Sequence, residues 1–235
     1  VNAQAVEEFD NYVALLRDNG IEVVVIQDTA TPHTPDSIFP NNWFSTHTSG
    51  ELVLYPMFAP NRRQERKDAV LEYLKKAYNP TQIIDFTPYE SENEFLEGTG
   101  SMIIDHKNKV VYACRSQRTS EKVLADFCEK MGMKYVVFDA VDANGQLIYH
   151  TNVMLTIGEK IAVICLSAIK NKAEKNTVIS SLQRAGKEIV DISHEQVNHF
   201  AGNMLEVRNA AGKSFLVMSQ SAKESLSEKQ KDQIE

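Results

Sequence analysis

The sequence has little cysteine, no long apolar run and no excess of positive charge, and each shortage removes a class of function. Only three cysteines occur in 235 residues, Cys114, Cys128 and Cys165. They form no CxxC and no paired spacing, so no structural zinc is expected, and the thiols point to a reducing compartment with the cytoplasm as default. No stretch approaches the roughly 20 apolar residues that a membrane-spanning helix needs. The opening segment from Val1 to Asn19 carries Glu7, Glu8, Asp10 and Arg17 and does not read as a signal peptide. A net charge of −7 argues against a nucleic-acid surface. With 43% hydrophobic and 24% charged residues, the composition is that of an ordinary soluble chain. Its length suits one large domain or two small ones. A start at valine rather than methionine leaves the expectation that the natural beginning lies further upstream.

What is present is a repeated register. His150 ends a turn-rich segment (Asp139 to Gln146) and precedes the apolar run Val153-Met154-Leu155, with Asn152 two residues on. If that run begins at His150 as a strand, period-two alternation puts His150 and Asn152 on one face. Glu97 stands 53 residues earlier, Asn42 another 55 earlier, and Asn203 stands 53 residues after His150. Each precedes a strand-like segment, so polar side chains recur at one position of a repeating unit.

The chain in order supports this. Val6, Phe9, Val13 and Leu16 fall at helical spacing and stop at Gly20, a good C-terminal cap. The β-branched run Ile21 to Ile26 predicts a buried strand. A proline-bearing loop then leads to a hairpin (Trp43–His47 and Leu52–Tyr55) and a helix from Asn61, its expected cap, to about Tyr78. The order repeats with strand Gln82–Phe86, a hairpin (Met102–Ile104 and Val110–Cys114) and helix Ser120–Met131. It repeats again with strand Lys134–Phe138, a hairpin (Val153–Thr156 and Ile161–Cys165) and helix Ala173–Ala185. Strand Glu188–Ile192, a hairpin (Met204–Val207 and Phe215–Met218) and a helix from Ser221 complete the sequence. Strands after helices begin at 21, 82, 134 and 188, spacings of 61, 52 and 54. Units of this kind stack into a ring or solenoid because none can bury its own faces. A closed ring would need one more hairpin, from residues before Val1 and after Glu235; alternatively the polar helix after Ser221 ends the fold.

These motifs resemble the guanidine-modifying superfamily of arginine deiminases, dimethylarginine hydrolases and amidinotransferases. Leu96-Glu97-Gly98-Thr99-Gly100 resembles its Glu-Gly-Gly element, and His150-Thr151-Asn152 its His-x-Asp element. Ser116-Gln117-Arg118-Thr119 resembles its Ser-x-Arg-Thr element, and Pro60-Asn61-Arg62-Arg63-Gln64-Glu65 another arginine-bearing stretch. The resemblance implies an α/β fold, a five-bladed α/β propeller (pentein) of ββαβ repeats, with the closing blade incomplete and residues 1–235 forming a single catalytic domain. It implies Glu97 as catalytic carboxylate holding substrate nitrogens and His150 as general acid/base. Arg118 becomes the clamp for a substrate carboxylate, with Arg63 a second candidate. No metal and no organic cofactor is implied. The expected partner is a small-molecule amino acid, with no nucleic acid and no membrane, and a homodimer is open as an assembly.

Two departures bear on function. Arginine-processing members carry aspartate where Asn42 and Asn152 stand here. A carboxylate pair suits a guanidinium, which offers only N–H donors; two amides suit a neutral ureido group with its carbonyl. Citrulline is therefore the expected substrate, and Asn41 in place of Asn42 would not change this. The family's nucleophile is also a cysteine in the last blade, which this register puts at about position 256, beyond Glu235. Cys114, Cys128 and Cys165 read instead as buried core thiols. The expectation is a cysteine-dependent hydrolase of a ureido or guanidino group. Its rivals are an amidinotransferase, an arginine deiminase or dimethylargininase, and a binding protein without a nucleophile. His33, His47, His106, His194 and His199 read as loop or surface residues.

Overall fold

Hairpins followed by a helix and a returning strand set the architecture of this protein, whose computed structural model describes residues 2–235. Helix α1 (Asn2–Asp18) opens the chain. The first unit holds β1 (Phe44–Thr46), β2 (Glu51–Leu54), α2 (Asp68–Tyr78) and β3 (Gln82–Asp85). The second follows a one-turn helix α3 (Gly98–Ser101), with β4 (Ile103–Asp105), β5 (Val110–Cys114), α4 (Glu121–Met131) and β6 (Lys134–Phe138). The third holds β7 (Leu155–Ile157), β8 (Ile161–Ile164), α5 (Lys172–Arg184) and β9 (Glu188–Asp191). A last unit has α6 (His194–Asn198), β10 (Leu205–Arg208), β11 (Ser214–Val217), α7 (Gln220–Ser225) and α8 (Glu228–Ile234).

In the first three units the hairpin pairs antiparallel and the returning strand lies parallel to the hairpin's second strand. Phe44 faces Leu54 and Glu51 faces Gln82, and the same pattern pairs Ile103 with Tyr112 and Val110 with Lys134. A parallel return needs a crossover, and the helix supplies it. The middle strand has a neighbour on each side and sits under the helix, which is why Val111, Tyr112, Ala113 and Cys114 are all buried. Helix α4 shows the local logic. Ser120 stands at its N-cap, Val123, Leu124, Phe127 and Cys128 share its buried stripe, and Gly132 ends it in the left-handed region at φ +62°. The first strands of neighbouring hairpins touch, β4 against β7 and β7 against β10. The turns that precede them therefore meet.

Four predicted features differ. Ile21–Ile26 is no strand, and Val24, Val25 and Ile26 are 52, 45 and 44% exposed. Strands β3, β6 and β9 each find a partner in the hairpin before their helix, whereas Ile21–Ile26 pairs with no strand among the described residues; β propensity without a ladder does not make a strand. The helix expected from Asn61 is split into a 3₁₀ turn at Arg62–Glu65 and α2, and Asn61 makes no side-chain cap. The terminal helix breaks at Leu226, between α7 and α8. Thr151–Val153 is a 3₁₀ turn rather than the start of a strand, so alternation does not fix where Asn152 points. The described residues form a mixed α/β fold of four units; a fifth unit and a closed ring are not among them. No described helix is long and apolar enough to cross a membrane.

Candidate active site

Glu97 and His150, far apart in sequence, meet where the second and third units join. The backbone of Glu97 is fixed first. Its N–H donates to the Ser101 hydroxyl at 2.9 Å and to the Arg118 carbonyl at 3.3 Å, and Ser101 Oγ donates to that same carbonyl at 2.6 Å. The chain then turns through Gly98 at φ +44°, where a Cβ would lie 2.2 Å from the Asn41 carbonyl, so only glycine fits.

His150 is pinned through both neighbours. Ser116 Oγ donates to the Tyr149 carbonyl at 2.7 Å, and Thr151 Oγ1 donates to the Ser101 carbonyl at 2.6 Å while accepting from the Cys114 N–H at 2.8 Å. The Ser-x-Arg-Thr element thus has a physical meaning here. Ser116 also accepts from the Arg118 N–H at 3.0 Å, so one hydroxyl contacts the backbone of both the arginine and the segment that leads into His150.

Glu97 is fully buried and collects three donors. Oε1 accepts from the Phe58 N–H at 2.9 Å, and Oε2 meets His150 Nε2 at 2.7 Å and Arg118 Nη1 at 3.4 Å. Burial alone would raise its pKa, but His150, the Phe58 N–H and Arg118 outweigh that and hold it below the ordinary glutamate value. An ionised carboxylate can only accept, so His150 Nε2 carries the proton of the neutral ring and Nδ1 keeps its lone pair. Nδ1 has no protein hydrogen bond among the described residues and lies 2.9 Å from where a Cβ on Gly100 would be. The imidazole is thus held by a carboxylate through Nε2, with Nδ1 unpaired among the described residues. Glu97 was expected to contact substrate nitrogens; its fully buried carboxylate contacts His150, Arg118 and the Phe58 N–H.

Arg118 has one nitrogen on Glu97. Its guanidinium carbon lies 5.9 Å from the Phe58 ring centroid and 5.2 Å from that of Tyr149. Its side chain is 30% exposed, and its remaining N–H groups have no partner among the described residues, as a carboxylate clamp requires. Asn42 is buried, with its amide nitrogen 2.5 Å from the same hypothetical Cβ on Gly100, so it and His150 Nδ1 both lie close against Gly100. Arg63 is placed differently. It donates to the carbonyls of Met57 and Phe58 at 2.9 and 3.3 Å and lies 3.4 Å from Glu90. It lines a neighbouring cleft of about 550 Å³ with Phe58, Phe95 and Gln117, beside the Glu97–His150 pair rather than at it. Asn152 is half-buried and makes no side-chain hydrogen bond among the described residues. The structure thus brings Glu97, His150, Arg118 and Asn42 together and places Arg63 at the neighbouring cleft.

Arg62 is the participant that sequence did not single out: its Nη1 donates to Asn42 Oδ1 at 2.7 Å. Nothing local distinguishes it from Arg63, and only the packed fold separates them. His47 also departs from expectation, being half-buried and 2.8 Å from Ser45 Oγ.

The cysteines are core residues. Cys114 and Cys165 are fully buried and Cys128 nearly so. Burial pushes the Cys114 thiol up to about 11 and that of Cys128 to about 12, the opposite of what a nucleophile needs. A thiol-specific reagent at pH 8 should label none of the three in the native chain and all three in denaturant; rapid native labelling of Cys114 would make it a candidate nucleophile. No described group of three or more His, Cys, Asp or Glu side chains is placed to hold a metal ion.

Residues 1–235 match the model of the family described as "N,N dimethylarginine dimethylhydrolase, eukaryotic". No curated protein matches the chain. Among solved structures, the apo arginine dihydrolase ArgZ of the cyanobacterial ornithine-ammonia cycle superposes with a TM-score of 0.68 at 14% identity, over 94% of this chain and 33% of that one. The N-terminal domain of ArgZ bound to its product gives 0.72 at 15% identity, over 99% and 77%. A dimethylarginine dimethylaminohydrolase variant in adduct with S-methyl-L-thiocitrulline gives 0.64 at 16% identity, over 92% and 74%. At these identities the likeness is one of fold. The chain spans a third of the whole ArgZ chain and about three quarters of its N-terminal domain.

Proposed function

The chain belongs to the eukaryotic N,N-dimethylarginine dimethylhydrolase family, within the guanidine-modifying pentein superfamily, and from that premise we propose that it is the scaffold of a hydrolase acting on the ureido or guanidino carbon of an arginine-like amino acid. The observation that carries this is the 2.7 Å contact of a buried carboxylate with His150 Nε2, leaving Nδ1 free beside Asn42. The four units are, in this proposal, four blades of a five-bladed ring, and the nucleophilic thiol comes from a segment outside these 235 residues.

The chemistry follows the geometry. His150 Nδ1 takes the thiol proton, the thiolate attacks the planar carbon and a C–S bond forms. The C–N bond breaks as the imidazolium returns its proton to the leaving nitrogen. Nδ1 then takes a proton from water, the oxygen adds to the carbon and the C–S bond breaks, releasing the thiolate. Glu97 holds the ring in one tautomer and stabilises the imidazolium. Arg118 binds the amino acid's carboxylate.

The substrate is the finer question. Asn42 and Asn152, in place of the aspartates of arginine-processing relatives, favour citrulline, because amides complement a carbonyl and carboxylates complement a guanidinium. Dimethylarginine is the second reading, favoured by the family the sequence matches. Offered citrulline, arginine and asymmetric dimethylarginine, the full-length protein should show its highest kcat/KM for citrulline, with ornithine as product. Preference for dimethylarginine would install the second reading; no turnover of any of the three would sink the hydrolase.

A further inference from the structure

Asn42 is given its direction by a buried ion pair. Arg62 Nε and Nη2 donate to Glu65 Oε1 and Oε2 at 2.8 and 3.1 Å, and Nη2 reaches the Phe39 carbonyl at 3.4 Å and that of Asp36 at 3.5 Å. Both side chains are nearly sealed, at 6 and 1% exposure. The remaining nitrogen, Nη1, is 2.7 Å from Asn42 Oδ1. A guanidinium has donors and no acceptor, so the atom of Asn42 that faces it must be the oxygen. The amide nitrogen is thereby turned away from Arg62 and toward Gly100, where it has no protein acceptor among the described residues. The backbone gap at Gly100 is what lets it approach His150: a Cβ there would stand 2.5 Å from Asn42 Nδ2 and 2.9 Å from both Cε1 and Nδ1 of the ring.

We infer that Arg62, braced by Glu65, is a specificity-determining positioning residue that presents the Asn42 N–H donors to the substrate's reacting group. The inference rests on the hydrolase reading and deepens it. A ureido oxygen meets a donor it can use, whereas a guanidinium brings a donor against a donor. An amide free to rotate could turn its oxygen inward and accept from a guanidinium; Arg62 removes that option. An aspartate at position 42 would itself be drawn into the Arg62 ion pair, so asparagine alone does not set the preference.

Removing Arg62 singly would leave the buried Glu65 carboxylate unpaired, so the test uses the pair replacement Arg62→Met with Glu65→Met in the full-length protein. The ratio of kcat/KM for citrulline over arginine should fall by about tenfold, the discrimination expected of one oriented hydrogen bond. A general disturbance of the site would lower both values and leave the ratio in place, and an unchanged ratio overturns the inference. A second measurement needs neither substrate nor variant. In the ligand-free wild type, the Asn42 side-chain NH₂ protons should show a nuclear Overhauser effect to the His150 Hε1 proton. Its absence would overturn the assigned orientation whatever the substrate proves to be. A wild type that prefers arginine while showing that effect would instead defeat the citrulline reading and leave the orientation standing.

Discussion

Glu97→Gln should lower kcat of the full-length protein by about 10⁴-fold, the cost of the equivalent aspartate-to-asparagine exchange in serine-protease triads. The glutamine amide keeps the shape of the carboxylate, and its oxygen can still face the Phe58 N–H. Its nitrogen then lies where Oε2 met His150 Nε2 at 2.7 Å, and an N–H cannot accept. The ring must turn its Nε2 lone pair to that donor and move its proton to Nδ1, which blocks the base. Charge is lost as well, since an imidazolium formed during turnover no longer has an anion against it. The same exchange should alter stability in one direction of pH. Glu97 has a lowered pKa in the folded state, so its contribution is fully present above the ordinary glutamate range and is lost as the pH falls through the lowered value. Urea titrations should therefore show the wild type weakening with acid more steeply than Glu97→Gln. A variant that kept kcat within a few-fold would remove Glu97 from the mechanism.

His150→Ala should cost roughly 10²–10⁴-fold in kcat, the usual worth of a positioned acid/base group. Folding should survive. Among the described residues the ring's only side-chain hydrogen bond is to Glu97, which retains the Phe58 N–H and Arg118, so a loss of about 1–3 kcal/mol in unfolding free energy is expected. Thermal unfolding and kcat measured on the same preparation separate the two effects. Because the carboxylate acts through the ring, adding Glu97→Gln to His150→Ala should cost little more, a strongly non-additive pair. Additive losses would mean that Glu97 touches the substrate independently.

Much of the fold was legible because its signals are local. Strand Lys134–Phe138 matches its expected bounds, and helix α4 (Glu121–Met131) falls within the expected Ser120–Met131. The recurrence of polar residues about 53 positions apart anticipated that Glu97 and His150 would share a centre. What failed depends on partners that a sequence does not display. Ile21–Ile26 has strand composition but pairs with no strand among the described residues. His150 and Asn152 were assigned by alternation, but a 3₁₀ turn occupies Thr151–Val153. The tandem arginines differ only in the fold, where Arg62 turns inward to Glu65 and Asn42 while Arg63 turns to the backbone of Met57 and Phe58. The pairing of Glu97 with His150 was open to sequence, yet the burial of Glu97 and its contacts with the Phe58 N–H, His150 and Arg118 emerged only in the fold.

The central claim is that Glu97 fixes the proton of His150 on Nε2 and leaves Nδ1 available for the reaction. The most direct test is the ¹⁵N spectrum of the histidine rings in the full-length protein, with His150 assigned by comparison with His150→Ala and recorded at a pH where its ring is neutral. Nε2 should carry the hydrogen and Nδ1 should show the shift of an unprotonated ring nitrogen, with the pattern reversed in Glu97→Gln. A wild-type His150 protonated on Nδ1, or one indifferent to the Glu97 exchange, would contradict the account.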